Sequence, residues 1–201
     1  MNERGQRESN RRMLWVDAVG GYLVCLADQV TLGQPIHGRG VDVPILGDLS
    51  GRHARIVRDG ESYLLEAIRD ARVDGRSVER FAPLREGSRI ELGSAVKLVF
   101  RRPHPLSATA RLEFASRHRT QPTADAVLLM ADSCILGPNA RNHVVCRRWP
   151  QDVLLFREGD AMYCRTQGEF RIDGHTHHDC GPVGPNCRIE GEGFSMNLES
   201  V

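Results

Sequence analysis

Apolar residues along the chain fall into short runs that are separated by glycine, aspartate and other turn-forming residues. In the first half the runs are MLWVDA, YLVCLA, VTLG, ARIVR, SYLLEA, SRIELG and AVKLVF. Several runs alternate apolar and polar positions, and Val96, Leu98 and Phe100 fall on one face of such a strand. No stretch of about ten residues has the spacing of an amphipathic helix. Many short strands divided by turns predict an all-β sandwich or barrel.

The same pattern occurs twice. LADQVTLG, which ends at Gly33, matches MADSCILG, which ends at Gly137. Three later matches keep a second, shorter spacing, and they are RDGESYLLEA with REGDAMYCRT, RVDG with RIDG, and SRIE with CRIE. The loop after Gly137 has therefore lost about five residues relative to the first copy. The repeat predicts two tandem β domains of the same fold.

The repeat also sets the expected boundaries. We predict a first domain over residues 13–101 and a second over residues 109–201, joined by a short proline-containing linker at 102–108. Residues 1–12 are polar and charged, and we expect them to be disordered.

Composition excludes several classes of protein. The 201 residues include 40% hydrophobic and 26% charged side chains, as in ordinary globular domains. The formal net charge of +1 gives no general basic field, so we expect no nucleic-acid partner. No apolar run approaches the roughly 18 residues that a membrane helix needs, and the polar N-terminus does not resemble a signal peptide. We therefore expect a cytoplasmic protein that does not bind membranes.

The chain contains six cysteines. In a chain of this length without export signals they are predicted to be reduced thiols. Cys25 and Cys164 lie inside apolar runs and are predicted to be small core residues.

Several segments of the first copy occur in the order and spacing of one known family. They are LGQ (32–34), VDVPI (41–45), LSGRHARI (49–56), VDG (73–75), PLREGSRIELG (83–93) and AVKLVF. Together they resemble the forkhead-associated (FHA) domain, in which Ser-x-x-His precedes an alternating strand. The second copy resembles this family only through its repeat relation to the first.

The resemblance implies an all-β protein of two tandem SMAD/FHA-type β-sandwich domains. In that family, loops at one end of the sandwich bind phosphothreonine peptides. By resemblance, Ser50 contacts the phosphate, His53 braces the loop and Gly33 is structural, while Gly75 is the glycine of the family's Asn-Gly turn and belongs to the phosphopeptide-binding residues. A phosphate dianion needs charge-assisted donors such as arginine, hydroxyl and backbone N–H groups.

Three positions depart from the family pattern. Gln34 replaces an arginine that contacts the phosphopeptide, and Gly51 stands where a cation is common. Asp74 replaces an asparagine, and its carboxylate adds negative charge beside an incoming phosphate. A single charged hydrogen bond contributes about 1.5–3 kcal/mol, so these changes are expected to weaken binding. Arg39 and Arg52 are the candidates to restore positive charge.

Two functions remain open at this point. The first domain is predicted to recognise phosphothreonine peptides in Ser/Thr-kinase signalling, with a protein or phosphorylated protein as partner. The alternative is a structural or scaffolding subunit with phospho-independent contacts. In the second copy WPQD (149–152) stands where the first has SGRH, so we expect no phosphate site there.

Two short stretches carry residue types suited to catalysis or metal binding. Ser50 and His53 lack a third orienting residue and a Gly-x-Ser-x-Gly elbow, so the chain is predicted not to be an enzyme. HTHHDCGPVGPNC (175–187) carries ligand types that zinc prefers, but their spacing is irregular. We expect a solvated, histidine-rich turn there, and neither a metal nor another cofactor.

Two further groups of residues have open interpretations. Trp15 lies in a strand-like run and is predicted to be a core residue, whereas Trp149 follows Arg147 and Arg148 on a loop and is either core or a partner anchor. Arginines 101, 102, 111, 117 and 119 surround the linker and form either a patch for an acidic partner or a solvated segment.

Overall fold

The computed structural model describes residues 10–36 and 40–201. Every regular element in these two ranges is a β-strand, which confirms the all-β prediction. Neither range contains a helix long and apolar enough to cross a membrane. The strands of the first repeat are β1 (Arg11–Val16), β2 (Gly20–Cys25), β3 (Gln29–Gly33), β4 (Val43–Leu46), β5 (Ala54–Asp59), β6 (Ser62–Ala67), β7 (Ala71–Val73), β8 (Arg76–Ser77), β9 (Phe81–Leu84), β10 (Arg89–Leu92) and β11 (Val96–Arg101). Those of the second repeat are β12 (Ala110–Phe114), β13 (Arg119–Thr120), β14 (Ala126–Leu129), β15 (Ser133–Gly137), β16 (Val144–Val145), β17 (Val153–Glu158), β18 (Ala161–Ile172), β19 (His175–Val183), β20 (Cys187–Gly191) and β21 (Phe194–Ser200).

The internal repeat is visible in the backbone. The turn after β7 has Asp74 at φ 52° and Gly75 at φ 79°, and the turn after β18 has Asp173 at φ 50° and Gly174 at φ 80°. In both turns the aspartate Oδ1 accepts a hydrogen bond of 2.8 Å from a backbone N–H of the neighbouring strand. Glycine suits such turns because it adopts positive φ without a Cβ clash.

The strands form two sheets, and both repeats contribute strands to each of them. The smaller sheet has six strands in the order β13-β4-β3-β5-β6-β9. The larger sheet has 15 strands in the order β16-β15-β17-β18-β20-β21-β1-β2-β14-β12-β11-β10-β7-β8, with β19 paired to β18. One continuous sheet therefore runs through both repeats.

Strands of one repeat pair with strands of the other where the repeats meet. β11, the last strand of the first repeat, pairs with β12, the first strand of the second. Reciprocally, β21 at the end of the second repeat pairs with β1 at the start of the first. β2 and β14 close the centre as a parallel pair, with Leu23 beside Val127. Each repeat thus completes its sheet with strands that the other supplies.

The three central strands β1, β2 and β14 contribute buried residues to both cores, one on each face. Consecutive strand residues point to opposite faces, yet Leu23 and Val24 are only 0% and 2% exposed. Leu23 packs in a first core with β3–β11, and Val24 packs in a second core with β15–β21. Burial on both faces explains why YLVCL and AVLLM are continuous apolar runs rather than alternating ones. Cys25 lies in the first core and Cys164 in the second, as predicted.

Some local expectations are corrected by the structure. β1 begins at Arg11, so the end of the segment expected to be disordered is a strand, and residues 1–9 lie outside the described residues. Trp15 is 37% exposed rather than core: its ring lies over Gly21 and its Nε1–H donates to Oε2 of Glu199 at 3.0 Å. Trp149 is buried and packs on Phe194, with ring centroids 5.3 Å apart.

The histidine-rich segment is a strand and not a turn. His175, His177 and Cys180 lie in β19, where they pair with positions of β18. His177 stacks near Phe170 at a centroid distance of 5.7 Å, whereas His178 is exposed one position further along. Across residues 10–36 and 40–201, no three histidine, cysteine or acidic side chains converge as a metal site would require.

Candidate functional site

Four loops of the first repeat meet at one end of its two sheets, which we call the Ser50 end. They are the described residues 34–36 and 40–42, which count as one loop, and residues 47–53, 68–70 and 93–95. The N–H of Gln34 donates to the carbonyl of Ser50 at 3.0 Å, and the N–H of Gly93 donates to the carbonyl of Asp70 at 3.0 Å. These backbone bonds tie the first loop to the second and the third to the fourth.

Gly33 permits the closest of these approaches. A Cβ at this position would collide with the carbonyl group of Gly51 and with the carbonyl oxygen of Ser50. Only glycine leaves the space that brings loop 47–53 against the end of β3. The resemblance assigned Gly33 a structural role, and its surroundings require a residue without a side chain.

His53 connects two of the loops through its ring. The side chain is 5% exposed. Its Nδ1 accepts a hydrogen bond from the N–H of Ser50 at 3.2 Å, and its Nε2 lies 2.9 Å from the carbonyl oxygen of Asp70. Since Nδ1 accepts, Nε2 carries the proton and donates to Asp70. Both ring nitrogens therefore hold backbone groups in place.

Ser50 is held by its backbone while its hydroxyl stays unused. The residue is half-buried, and its Oγ forms no hydrogen bond with any described residue. Arg52 and Gln34 beside it are exposed, and neither side chain has a hydrogen bond or ion pair with the described part of the chain. Arg39 lies outside the described residues.

Asp74 and Gly75 are not part of the Ser50 end. β7 pairs antiparallel with β10, so Asp70 lies at the end near His53 and Asp74 at the other end. The strand between them spans about 13 Å. The Asp74 carboxylate is already occupied, because it accepts hydrogen bonds from the N–H of Arg89 at 2.8 Å and the hydroxyl of Ser88 at 3.2 Å. Placing this turn beside the phosphate was therefore wrong.

The loop that does stand beside His53 introduces Arg69, a residue that sequence analysis missed. The N–H of Arg69 donates to the carbonyl of His53 at 2.9 Å. Its side chain is exposed, and its guanidinium has no hydrogen bond or ion pair with the described residues. The sequence contains two aspartate-containing turns, at Asp70 and at Asp74, and only strand pairing decides which of them reaches the Ser50 end.

The second repeat borders this end with a basic loop. β13 pairs with β4, with Arg119 opposite Leu46, and the ring of His118 packs against Gly47. Ser116 anchors the loop, since its Oγ accepts from the N–H of Lys97 at 3.0 Å. Gly47 precedes Ser50 by three residues, so the two are at most about 11 Å apart.

Two of the five linker arginines have no ion pair in the described part of the chain, and both lie in this loop. Arg117 and Arg119 are exposed and have no ion pair within the described residues. By contrast, Arg101 lies 3.2 Å from Glu86 and 3.3 Å from Glu113, and Arg102 and Arg111 are paired with Glu61 and Glu113. Among the described residues, the cations without an ion pair at and beside the Ser50 end are Arg52, Arg69, Lys97, Arg117 and Arg119, and the carboxylates there are those of Asp42, Asp48 and Asp70.

Comparisons with known proteins add the following. No family model and no curated protein matches the chain. The FhaA FHA domain, solved in complex with the intracellular domain of Rv3910, is 25% identical over 41% of this chain and 91% of that chain, with a TM-score of 0.30. An FHA domain from a structural and functional study of phosphothreonine-dependent interactions is 26% identical over 41% of this chain and 88% of its own, also at 0.30. The N-terminal FHA domain of EssC, a component of the bacterial Type VII secretion apparatus, is 9% identical over 94% and 92%, at 0.26. The chain is similar to FHA domains.

The second repeat does not duplicate the Ser50 end. Trp149 occupies the position of Ser50, and Asp152 occupies that of His53. The Oδ1 of Asp152 accepts a hydrogen bond of 2.6 Å from Nδ2 of the buried Asn142. A carboxylate, that of Asp152, thus takes the bracing position of the His53 imidazole. The buried indole of Trp149 replaces the hydroxyl of Ser50.

Proposed function

We propose that this FHA-like chain is a non-enzymatic protein-interaction module whose Ser50 end binds phosphothreonine peptides. The observation that carries the proposal is the unused hydroxyl of Ser50 on braced loops that also carry Arg52 and Arg69, whose exposed guanidiniums have no partner among the described residues. A hydroxyl and two arginines are donors that a phosphate dianion requires. Donors fixed on braced loops bind with less loss of conformational entropy than mobile ones.

The departures from the family pattern are partly offset in this arrangement. Gln34 is neutral, but Arg69 provides a cation on the neighbouring loop. The carboxylate of Asp74, which we expected to repel phosphate, lies at the far end of β7 and is occupied by Ser88 and Arg89. The phosphate would therefore meet more positive charge than the sequence motif alone suggests.

The basic loop of the second repeat favours an acidic peptide. His118 of this loop and Val96 of β11 contact Gly47. Their sequence neighbours Arg117, Arg119 and Lys97 are exposed and have no ion pair among the described residues. A peptide that continues from Ser50 over Gly47 would place its flanking residues against these cations. We infer a partner with acidic residues next to its phosphothreonine, a type of sequence suited to Ser/Thr-kinase signalling, and we retain the expected cytoplasmic location.

The geometry gives no support to hydrolysis by Ser50 and His53. A catalytic histidine must accept the proton of the serine hydroxyl. Here Nδ1 of His53 is bonded to the backbone N–H of Ser50, and Nε2 is bonded to the Asp70 carbonyl. Neither nitrogen is free to act as a base.

The proposal is tested by titrating a phosphothreonine peptide with acidic flanks, and the same peptide without phosphate, into the full chain. Only the phosphopeptide is expected to bind. Ser50→Ala and Arg69→Ala are each expected to weaken binding about 10- to 100-fold, the loss of one charged hydrogen bond. Arg76→Ala is the matched control, since Arg76 lies at the opposite end of the sheet, is exposed and has no ion pair with any residue that the structure describes. Equal binding of both peptides would instead support the scaffolding function.

A further inference from the structure

A groove opens at the corresponding end of the second repeat. Its volume is about 460 Å³, within the range of about 300–1,000 Å³ typical of ligand sites. Val19, Val145 and Trp149 give it apolar walls, and Asp17, Arg147 and Arg148 give it charge. One wall, formed by Asp17 and Val19, belongs to the turn between β1 and β2, so both repeats contribute to the groove.

The two arginines are presented by a fixed turn. The N–H of Trp149 donates to the carbonyl of Cys146 at 3.0 Å, which makes Arg147 and Arg148 the central residues of a β-turn. Cys146 and Trp149 on either side are both buried, at 0% and 6% exposure. The turn is thus held at both ends by the second core, while its two central side chains are exposed.

The charges that line the groove are not balanced. Neither Arg147 nor Arg148 has a hydrogen bond or ion pair with any described residue. The facing carboxylate, Asp17, lies 3.7 Å from the guanidinium of Arg188, which also pairs with Glu190. Asp17 is therefore compensated from outside the groove, and the two arginines are left for a ligand.

We propose that this groove binds an acidic, unphosphorylated segment of a partner protein. Two carboxylate side chains of the segment pair with Arg147 and Arg148, because a guanidinium binds a carboxylate through two parallel hydrogen bonds. The aliphatic stems of the segment pack against Val19 and Val145. The site differs in place and chemistry from the Ser50 end, so it does not depend on phosphothreonine recognition.

The chemistry favours carboxylates over phosphate or nucleic acid. Trp149 replaces Ser50, so the hydroxyl donor of the first repeat is missing from this groove. The net charge of the chain is only +1, which is too little for the extended electrostatic attachment of nucleic acids. Two guanidiniums on one turn suit two carboxylates of one peptide.

Tryptophan fluorescence gives a direct test, because the chain contains only two tryptophans. Trp15→Phe leaves Trp149 in the groove wall as the only indole. Titrating acetylated hexaglutamate into this variant of the full chain is expected to change the Trp149 emission saturably. Adding Arg147→Ala and Arg148→Ala is expected to weaken binding at least tenfold. Adding Arg171→Ala should leave binding unchanged, because Arg171 of β18 is exposed and has no ion pair within residues 10–36 and 40–201.

Further arms separate this proposal from that at the Ser50 end. Ser50→Ala is expected to leave hexaglutamate binding intact, and acetylated hexaglutamine is expected not to bind. The proposal is overturned if hexaglutamate binds the double arginine variant as well as the parent, if it fails to bind the parent, or if inorganic phosphate displaces it at equal concentration. Circular dichroism of each variant establishes that the fold is retained, and labelled hexaglutamate with unsubstituted Trp15 gives a second readout by anisotropy.

Discussion

His53 and Asp152 hold equivalent positions in the two repeats, and both brace a loop, but they do so with different groups. His53 joins Ser50 to Asp70 through its two ring nitrogens, and Asp152 accepts from Asn142. The fold therefore requires a brace at this position rather than a histidine. What differs is the residue three positions before the brace, which is Ser50 with its unused hydroxyl in one repeat and the buried Trp149 in the other.

Removal of each brace should separate stability from binding. His53→Ala is expected to lower the free energy of unfolding by about 2 kcal/mol, for two lost hydrogen bonds, and to weaken phosphopeptide binding because Ser50 is no longer fixed. Asp152→Ala is expected to lower stability by about 1 kcal/mol and to leave phosphopeptide affinity unchanged. Urea unfolding and isothermal titration measure the two effects. Equal losses of affinity in both variants would contradict the assignment.

The basic loop should control the preference for acidic flanks. Arg117→Ala combined with Arg119→Ala is expected to weaken binding of an acidic phosphopeptide several-fold, because exposed ion pairs contribute about 0.2–1 kcal/mol each. The affinity of this double variant for a phosphopeptide with neutral flanks should equal that of the parent. Arg72→Ala is the control: Arg72 is exposed and has no ion pair with a described residue, so this variant should bind the acidic phosphopeptide as the parent does. The comparison requires titrations at two salt concentrations, since the acidic preference should diminish at high salt.

Acid should destabilise the chain through His143. Burial, with the nearby charges of His104 and Arg111, lowers the pKa of His143 to about 4 from its ordinary value of 6.5. The unfolded chain then binds a proton between pH 6.5 and pH 4 that the folded chain excludes. Stability from this residue is complete above pH 6.5 and falls by up to about 3 kcal/mol as the pH drops to 4.

His143→Asn provides the control for that pH dependence. Nδ1 of His143 accepts from the N–H of Ile135 at 2.9 Å, and an asparagine Oδ1 can accept the same bond without titrating. Denaturant midpoints of this variant should vary less between pH 6.5 and pH 4 than those of the parent. An unchanged pH profile would show that other groups cause the acid sensitivity.

A single thiol should react in the folded chain. Cys180 is exposed, and the other five cysteines are buried. Burial also raises the pKa of Cys134, Cys146 and Cys164 to about 12, which removes the reactive thiolate. Iodoacetamide followed by mass spectrometry should label one site under native conditions, and none after Cys180→Ser. Rapid labelling of Cys146 would show that the turn carrying Arg147 opens readily.

Because strands of the two repeats pair with each other, the folding of each repeat should depend on the other. Residues 1–101 alone lack β12 and β14, which pair with β11 and β2, and residues 102–201 lack β1 and β2. Each fragment would expose apolar faces of the central strands, so neither is expected to fold stably. The whole chain should unfold in one cooperative transition by calorimetry. A fragment that folds alone with dispersed NMR resonances would refute this expectation.

Local features of the fold could be predicted from the sequence, but the partners of the strands could not. Alternation in AVKLVF and the repeated Asp-Gly turns correspond to strands and turns in the structure because both depend on neighbouring residues. The pairing of β11 with β12 joins strands whose apolar faces would fit several neighbours, so periodicity alone does not select it. β19 was mistaken for a turn because its exposed histidines carry no apolar alternation.

The candidate site was only partly accessible from the sequence for the same reason. Ser50, Arg52 and His53 lie within one short motif, and chain connectivity alone brings them together. Arg69 joins them through a backbone bond to His53 across the sheet, and Arg117 and Arg119 arrive from the other repeat. These residues required knowledge of the strand register.

The central strands, which are covered on both faces, also fix the distance between the Ser50 end and the groove of the second repeat. If a partner carries both a phosphothreonine and an acidic stretch, binding at the second end becomes intramolecular after the first contact. The gain in avidity depends on whether the connecting chain spans that fixed distance, and it is largest when the length of the connector matches the span. The rigid shared sheet would then select partners in which the phosphothreonine and the acidic stretch are separated by a chain of matching length.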